Sequence, residues 1–280
     1  AHGNYWKMSQ PGNPRVLQCI SPVDGTVYVE RELADSNSIL QSIELSCLAQ
    51  KRWQQTSLVE RARICESAVA YFESKQTQIA EEIAWQMGRP VAFAGGEVNG
   101  LAERARHMIA IAEQSLADVV PEAKAGLKRF IRRGPVGTVF TIAPWNYPLL
   151  TSVNSIVPAL MAGNSVLLKA SAQVPLCGEH FAQAFRSAGL PKGVFQNLFL
   201  SHEDTERIAN SGKMDFIYFT GSVPAGQRIE QAAAGTFAGV ALELGGKDPA
   251  YVMEDANFVD AVENLVDGAF FNSGQSCCGI

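Results

Sequence analysis

The sequence predicts an α/β protein: a mainly parallel sheet with helices on both faces, preceded by a largely helical first half and followed by the start of a second α/β unit. Three features carry that expectation. From about Arg129 onward, short apolar β-branched runs alternate with helical stretches, the pattern of βαβ units. Before that point the apolar residues recur at helical spacing between helix start and stop signals. The residues just beyond the apolar runs are polar or glycine-rich, as expected at the carboxyl ends of parallel strands, where ligands bind.

The helical half begins after a short extended start. In SLVERARICESAVAYFESK, Ser57 and Glu60 form a capping-box pattern, and Val59, Ala62, Cys65, Val69 and Phe72 trace one apolar stripe. QTQIAEEIAWQMG reads as a helix stopped by Gly88 before Pro90, and GGEVNGLAERARHMIAIAEQSL as another. The alternating half then runs VGTVFTIA, a helix from Leu149 toward Met161, SVLLKA, a helix from Pro175 to Ser187, and the extended runs VFQNLFL, FIYFT, VALELGG and PAYVM.

Composition bounds the function. The 280 residues are 47% hydrophobic and 18% charged, with a formal net charge of −5, which suits a folded protein and lacks the basic footprint of a nucleic-acid binder. The one basic cluster, Lys128, Arg129, Arg132 and Arg133, reads as a solvated hairpin. No secretory leader or membrane span is evident, since the longest apolar stretch is interrupted by Asn154 and Pro158. Scattered cysteines point to reduced thiols and a cytoplasmic location.

At the strand ends stand Pro144, Trp145 and Asn146; Lys169; Thr220, Gly221 and Ser222; and Glu243 to Lys247. FTGSVPAGQRI is a strand, a tight turn and a helix opened at Pro224, a start that offers backbone N–H groups to a phosphate. Its glycines, Gly221 and Gly226, could equally serve only the turn. Lys169 could be a solvated strand terminus, and Asn146, set between prolines, a turn-former or a donor to an oxyanion. Glu243 is an odd carboxylate in an apolar run: buried it needs a partner, exposed it can act as a base. Cys277 and Cys278 close the chain. They lack a neighbouring histidine, none of the four histidines stands at metal-ligand spacing from another, and so no metal is expected. A nucleophile with a bystander, a redox pair and inert core thiols remain open on these residues alone.

PWNYP, FTGSVPAG, ELGGK and NSGQSC, in that order, resemble the aldehyde dehydrogenase superfamily, and WQQTSLVERARIC is similar to the family's approach to its early helices. The resemblance implies a variant Rossmann nucleotide domain over residues 1–117 and 136–245, an oligomerisation hairpin over 118–135, and the beginning of a catalytic domain over 246–280. It implies Cys277 as nucleophile, Asn146 and the Cys277 N–H as oxyanion donors, and Glu243 as the base that activates water against a thioester. It implies NAD or NADP held by Gly221, Ser222 and Gly226 at the pyrophosphate, Lys169 at the adenine ribose, and Ile142, Trp145 and Leu244 toward the nicotinamide. The partners it implies are a small-molecule aldehyde and further copies of the chain in a homodimer or homotetramer, with neither nucleic acid nor membrane.

The sequence departs from the family pattern in three places. Ala172 stands three positions after Lys169, where a glutamate often repels a 2′-phosphate, so discrimination against NADP should weaken. SHEDTERIA replaces a glycine-rich loop. The chain stops just after the nucleophile, so it reads as the amino-terminal portion of such an enzyme, incomplete for catalysis by itself. A CoA-acylating relative would not need Glu243, and a catalytically silent homologue would need neither Glu243 nor Cys277; both residues are present.

Overall fold

The computed structural model of the chain describes residues 15–279. An antiparallel hairpin, β1 (Val16–Ile20) and β2 (Val27–Glu32), leads into the helices α1 (Ser36–Trp53), α2 (Leu58–Ser74), α3 (Gln76–Met87), the short α4 (Val91–Ala94) and α5 (Gly96–Leu116). Ser57 caps α2 by accepting from the Glu60 N–H, while the Glu60 carboxylate turns outward to Arg63, so only half of the capping box forms. The buried stripe of α2 is Ile64, Cys65, Ala68, Val69 and Phe72; Val59 is exposed, because it lies in the first turn, beyond the reach of that face. Gly88 ends α3 in the left-handed conformation, φ 79°, as a glycine stop should.

The remaining elements are β3 (Thr138–Ile142), α6 (Pro148–Ala162), β4 (Ser165–Lys169), α7 (Pro175–Ser187), β5 (Phe195–Asn197), α8 (His202–Asn210), β6 (Phe216–Gly221), α9 (Val223–Ala233), β7 (Gly239–Leu244) and α10 (Phe258–Gly274). Five parallel strands pair in the order β5-β4-β3-β6-β7. β5 is shorter than its apolar run because one further bond, Leu198 N–H to Leu168, ends the ladder and Phe199 then accepts from Ala34. PAYVM, expected as a strand, pairs with no described strand; with no ladder to satisfy its backbone, Tyr251, Val252 and Met253 stay exposed.

Side-chain alternation along β3 splits the core into two layers. Val139 with Val166 and Leu168 of β4 packs beneath α2, α5, α6 and α7; Phe140 and Ile142 with Leu167, Ile217 and Phe219 pack against α8 and α9. Because successive strands run from β3 to one side and then return to the other, the strand order reverses between β3 and β6. That reversal opens a crevice beyond their carboxyl ends.

The helix after β3 is held at both ends by distant side chains. At its amino terminus the Glu97 carboxylate accepts from the Leu149 and Leu150 N–H groups, at 2.9 and 3.3 Å. At its carboxyl terminus Trp53 Nε1 donates to Leu160, Arg61 to Met161 and Gln50 to Gly163, which satisfies carbonyls that no helical partner reaches. Gly163 has φ 91°, and a Cβ there would stand 3.1 Å from the Arg61 guanidinium.

Candidate active site

Ile142 ends β3 in register with Lys169 of β4 and Phe219 of β6, so the segment from Ala143 to Tyr147 emerges at the crevice. Ile142 is buried and Trp145 exposed. Lys169 is 7% exposed, and its ammonium makes no ion pair or hydrogen bond with a described residue. Burial pushes its pKa down, since the charged form loses solvation without a partner.

Across the crevice, Ser222 caps α9 through its hydroxyl, which accepts from the Ala225 N–H, and Pro224 stands in the first turn. A Cβ on Gly226 would lie 2.5 Å from a Leu244 methyl, and one on Gly221 would lie 2.7 Å from the Phe219 ring. Gly226 therefore allows close packing of the α9 start against β7, and Gly221 leaves room for the Phe219 ring of its own strand. Leu244 closes the wall at that point. Glu243, one residue earlier in β7, is exposed, so no buried partner is required of it.

The cysteine turn reaches the same place from the far end of the chain. α10 loses helical geometry at Phe271, and Asn272 and Ser273 then adopt φ 54° and 58°, unusual for residues with a Cβ. Asn146 Nδ2 donates to the Gln275 carbonyl at 2.7 Å, Asn272 Nδ2 donates to the Asn146 carbonyl at 3.0 Å, and the Tyr147 hydroxyl meets Ser276 Oγ at 2.6 Å. The structure thus brings together Asn146 and the Cys277 turn, which are far apart in sequence. Cys277 and Cys278 are exposed and free, their sulfurs 3.8 Å apart. The Cys278 thiol donates toward the Cys277 sulfur, and that contact pushes the Cys278 pKa up.

No motif assigns a role to four residues at this site: Arg89 and Glu97, which lie outside every motif, and Tyr147 and Asn272, which lie within PWNYP and NSGQSC. Arg89 donates to Glu97 at 2.9 Å and, through Nε, to Asn272 Oδ1 at 2.6 Å, with its guanidinium 4.5 Å from the centre of the Tyr147 ring. The only sequence hint is a charged residue lodged between Gly88 and Pro90 in an apolar stretch.

SHEDTERIA forms α8: Ser201 caps the helix, and the buried Asp204 pairs with Arg15 and Arg207. Residues 118–133 form a ribbon with antiparallel bridges Val119 to Ile131 and Lys124 to Leu127, carrying exposed Val120, Leu127 and Ile131. Among the described residues no helix is long and apolar enough to cross a membrane.

Known proteins share this fold. The model described as the aldehyde dehydrogenase family matches residues 6–280. D-glyceraldehyde dehydrogenase (NADP(+)) of Thermoplasma acidophilum is 32% identical over 97% of this chain and 55% of its own length. Succinate-semialdehyde dehydrogenase (NADP(+)) 1 of Mycobacterium tuberculosis is 37% identical over 93% of this chain and 58% of its own. The solved structure of NADP-dependent glyceraldehyde-3-phosphate dehydrogenase from Bacillus halodurans, complexed with NADP, matches at TM-score 0.89 and 30% identity over 95% of this chain and 57% of that one. The chain spans a little over half the length of these relatives. With the five-stranded sheet, the crevice at its order reversal and the cysteine turn anchored beside it, the chain belongs to the aldehyde dehydrogenase family.

Proposed function

We propose that the intact protein oxidises an aldehyde to a carboxylic acid with NAD or NADP, through a covalent intermediate on Cys277. The observation that carries this reading is the 2.7 Å bond from Asn146 to the Gln275 carbonyl, which holds a side-chain amide two residues from an exposed thiol at the sheet's crevice. Attack by the Cys277 thiolate on the carbonyl carbon forms a C–S bond and an oxyanion. The second N–H of the Asn146 amide and the Cys277 backbone N–H, which bonds to no described residue, are the donors for that charge.

A nicotinamide nucleotide, when bound, supplies the acceptor for the hydride that leaves the Cys277 thiohemiacetal, and a thioester remains. Glu243 takes a proton from water as that water attacks the thioester; the C–S bond breaks, the acid departs and the Cys277 sulfur is freed. An exposed carboxylate at the end of β7 suits that role. The nucleotide fits the donor set: a buried lysine cation without a partner at the end of β4, and the amino-terminal N–H groups of α9. Lys169, Gly221, Ser222 and Gly226 would hold its pyrophosphate and adenosine side, with Ile142, Trp145 and Leu244 toward the nicotinamide. Ala172 presents no carboxylate to a 2′-phosphate, in keeping with use of NADP. Residues 1–117 and 136–245 would form the nucleotide domain, the ribbon over 118–135 an oligomerisation hairpin, and 246–280 the opening of the catalytic domain.

The test is a pair of substitutions in the intact protein. Cys277→Ala should abolish aldehyde oxidation and leave nucleotide binding, followed by fluorescence titration, intact; Cys278→Ala should be mild. Activity that survives the first change and is lost in the second would overturn the assignment.

A further inference from the structure

We infer that Arg89 is a positioning residue for the reaction, setting the nucleophile turn and the oxyanion donor by one guanidinium. Three segments converge on it. Its Nε donates to Asn272 Oδ1, and Asn272 in turn donates to the Asn146 carbonyl. Its Nη1 donates to Glu97, whose other oxygen accepts from the first two N–H groups of α6 that follow Asn146 and Tyr147. Its planar face lies over the Tyr147 ring, and the Tyr147 hydroxyl bonds Ser276, next to Cys277.

The energetics favour a geometric role over a stabilising one. Arg89 is 4% exposed and Glu97 1%, so both charges have lost their water. Burial pushes the Glu97 carboxyl up, against the Arg89 charge and the two N–H groups that pull it down. Arg89 Nη2 is buried without a hydrogen-bond partner among the described residues. A buried pair with an unsatisfied donor adds little net stability compared with apolar packing, yet it fixes direction. The direction it fixes includes the left-handed backbone of Asn272, a conformation that persists only where its surroundings over-determine it. Lysine could keep the ion pair with Glu97 but not the fork to Asn272.

The experiment uses the intact protein and the variants Arg89→Lys, Asn272→Gly and their combination; glycine removes the amide and accepts the positive φ. Each single variant should lower kcat by about 10- to 100-fold, the scale of a 1 Å misplacement, with the KM for the nucleotide unchanged. The double variant should be no slower than the slower single, because both cut one clamp. Wild-type kcat in either single variant, or losses that multiply, would overturn the proposal. Asn272→Gly decides the matter alone if Arg89→Lys does not fold. The inference rests on Cys277 as nucleophile, and Cys277→Ala tests that separately: residual oxidation there sinks the reaction scheme, whereas an inactive Cys277→Ala beside a fully active Arg89→Lys sinks only the clamp.

Discussion

Asn146→Ala separates a catalytic asparagine from a structural one. The side-chain amide has two N–H donors, and one is committed at 2.7 Å to the Gln275 carbonyl. Loss of that partly buried neutral bond should cost about 1 kcal/mol of stability. In a chain of this size that corresponds to a fall in Tm of about 2–4 °C. If the second N–H meets the oxyanion, the same change removes about 2.7–4 kcal/mol of transition-state stabilisation, a 100- to 1,000-fold loss in kcat. Thermal unfolding and steady-state oxidation measured on one preparation therefore give two numbers of very different size. Asn146→Asp adds a check, since it sets a carboxylate oxygen against the Gln275 carbonyl and should hurt both quantities. A kcat loss below about threefold in folded Asn146→Ala would refute the oxyanion role, because removal of an oxyanion donor costs about 100-fold or more.

Two further outcomes follow from the packing. Burial raises the Glu82 carboxyl, but hydrogen bonds from His180 and Gln78 and the His180 charge outweigh it and hold the net value below the ordinary range. A depressed acid stabilises the fold above its unfolded pKa, and that contribution is lost as pH falls through the folded value. Glu82→Gln should therefore flatten the acid side of a Tm-against-pH curve below about pH 4.3, and identical slopes would refute the link. At Gly137, φ is 132° and a Cβ would overlap the Asp215 carboxylate, which accepts from the Thr138 N–H. Gly137→Ala should cost about 3 kcal/mol or more from backbone strain plus overpacking, read by denaturant unfolding, while Gly134→Ala, in open space, should be near neutral.

What was legible in the sequence was whatever is local. The cap at Ser57, the left-handed stop at Gly88 and the strand-turn-helix at Gly221 to Pro224 depend on residues within a turn of one another, and each stands where its pattern placed it. Short apolar β-branched runs and helical spacing separated the sheet half from the helical half. They failed where a neighbour decides: Val59 fits the stripe by spacing but has nothing to pack against, and PAYVM has strand composition but no described partner strand. The strand order is likewise a property of the whole sheet, and no single run contains it.

The site follows the same division: the residues proposed for the chemistry stand in recognisable short motifs, whereas the Arg89 contacts join distant parts of the chain. Asn146, Glu243 and Cys277 sit in short, odd stretches at strand or helix ends. The Arg89 bond to Asn272 spans 183 positions, and its two halves look like a loop cation and a helix-end amide. The early helices therefore do more than cover the sheet. Glu97 from α5 holds one end of α6, and Gln50, Trp53 and Arg61 from α1 and α2 hold the other. Asn146 lies two residues before that helix, so the backbone that carries its amide is tied to side chains of α1, α2 and α5. A change such as Trp53→Phe, which deletes the donor to Leu160 and part of a buried ring, costs about 2 kcal/mol or more if α6 is rigidly held elsewhere. If instead it loosens the helix, the loss of kcat should exceed what that stability change predicts.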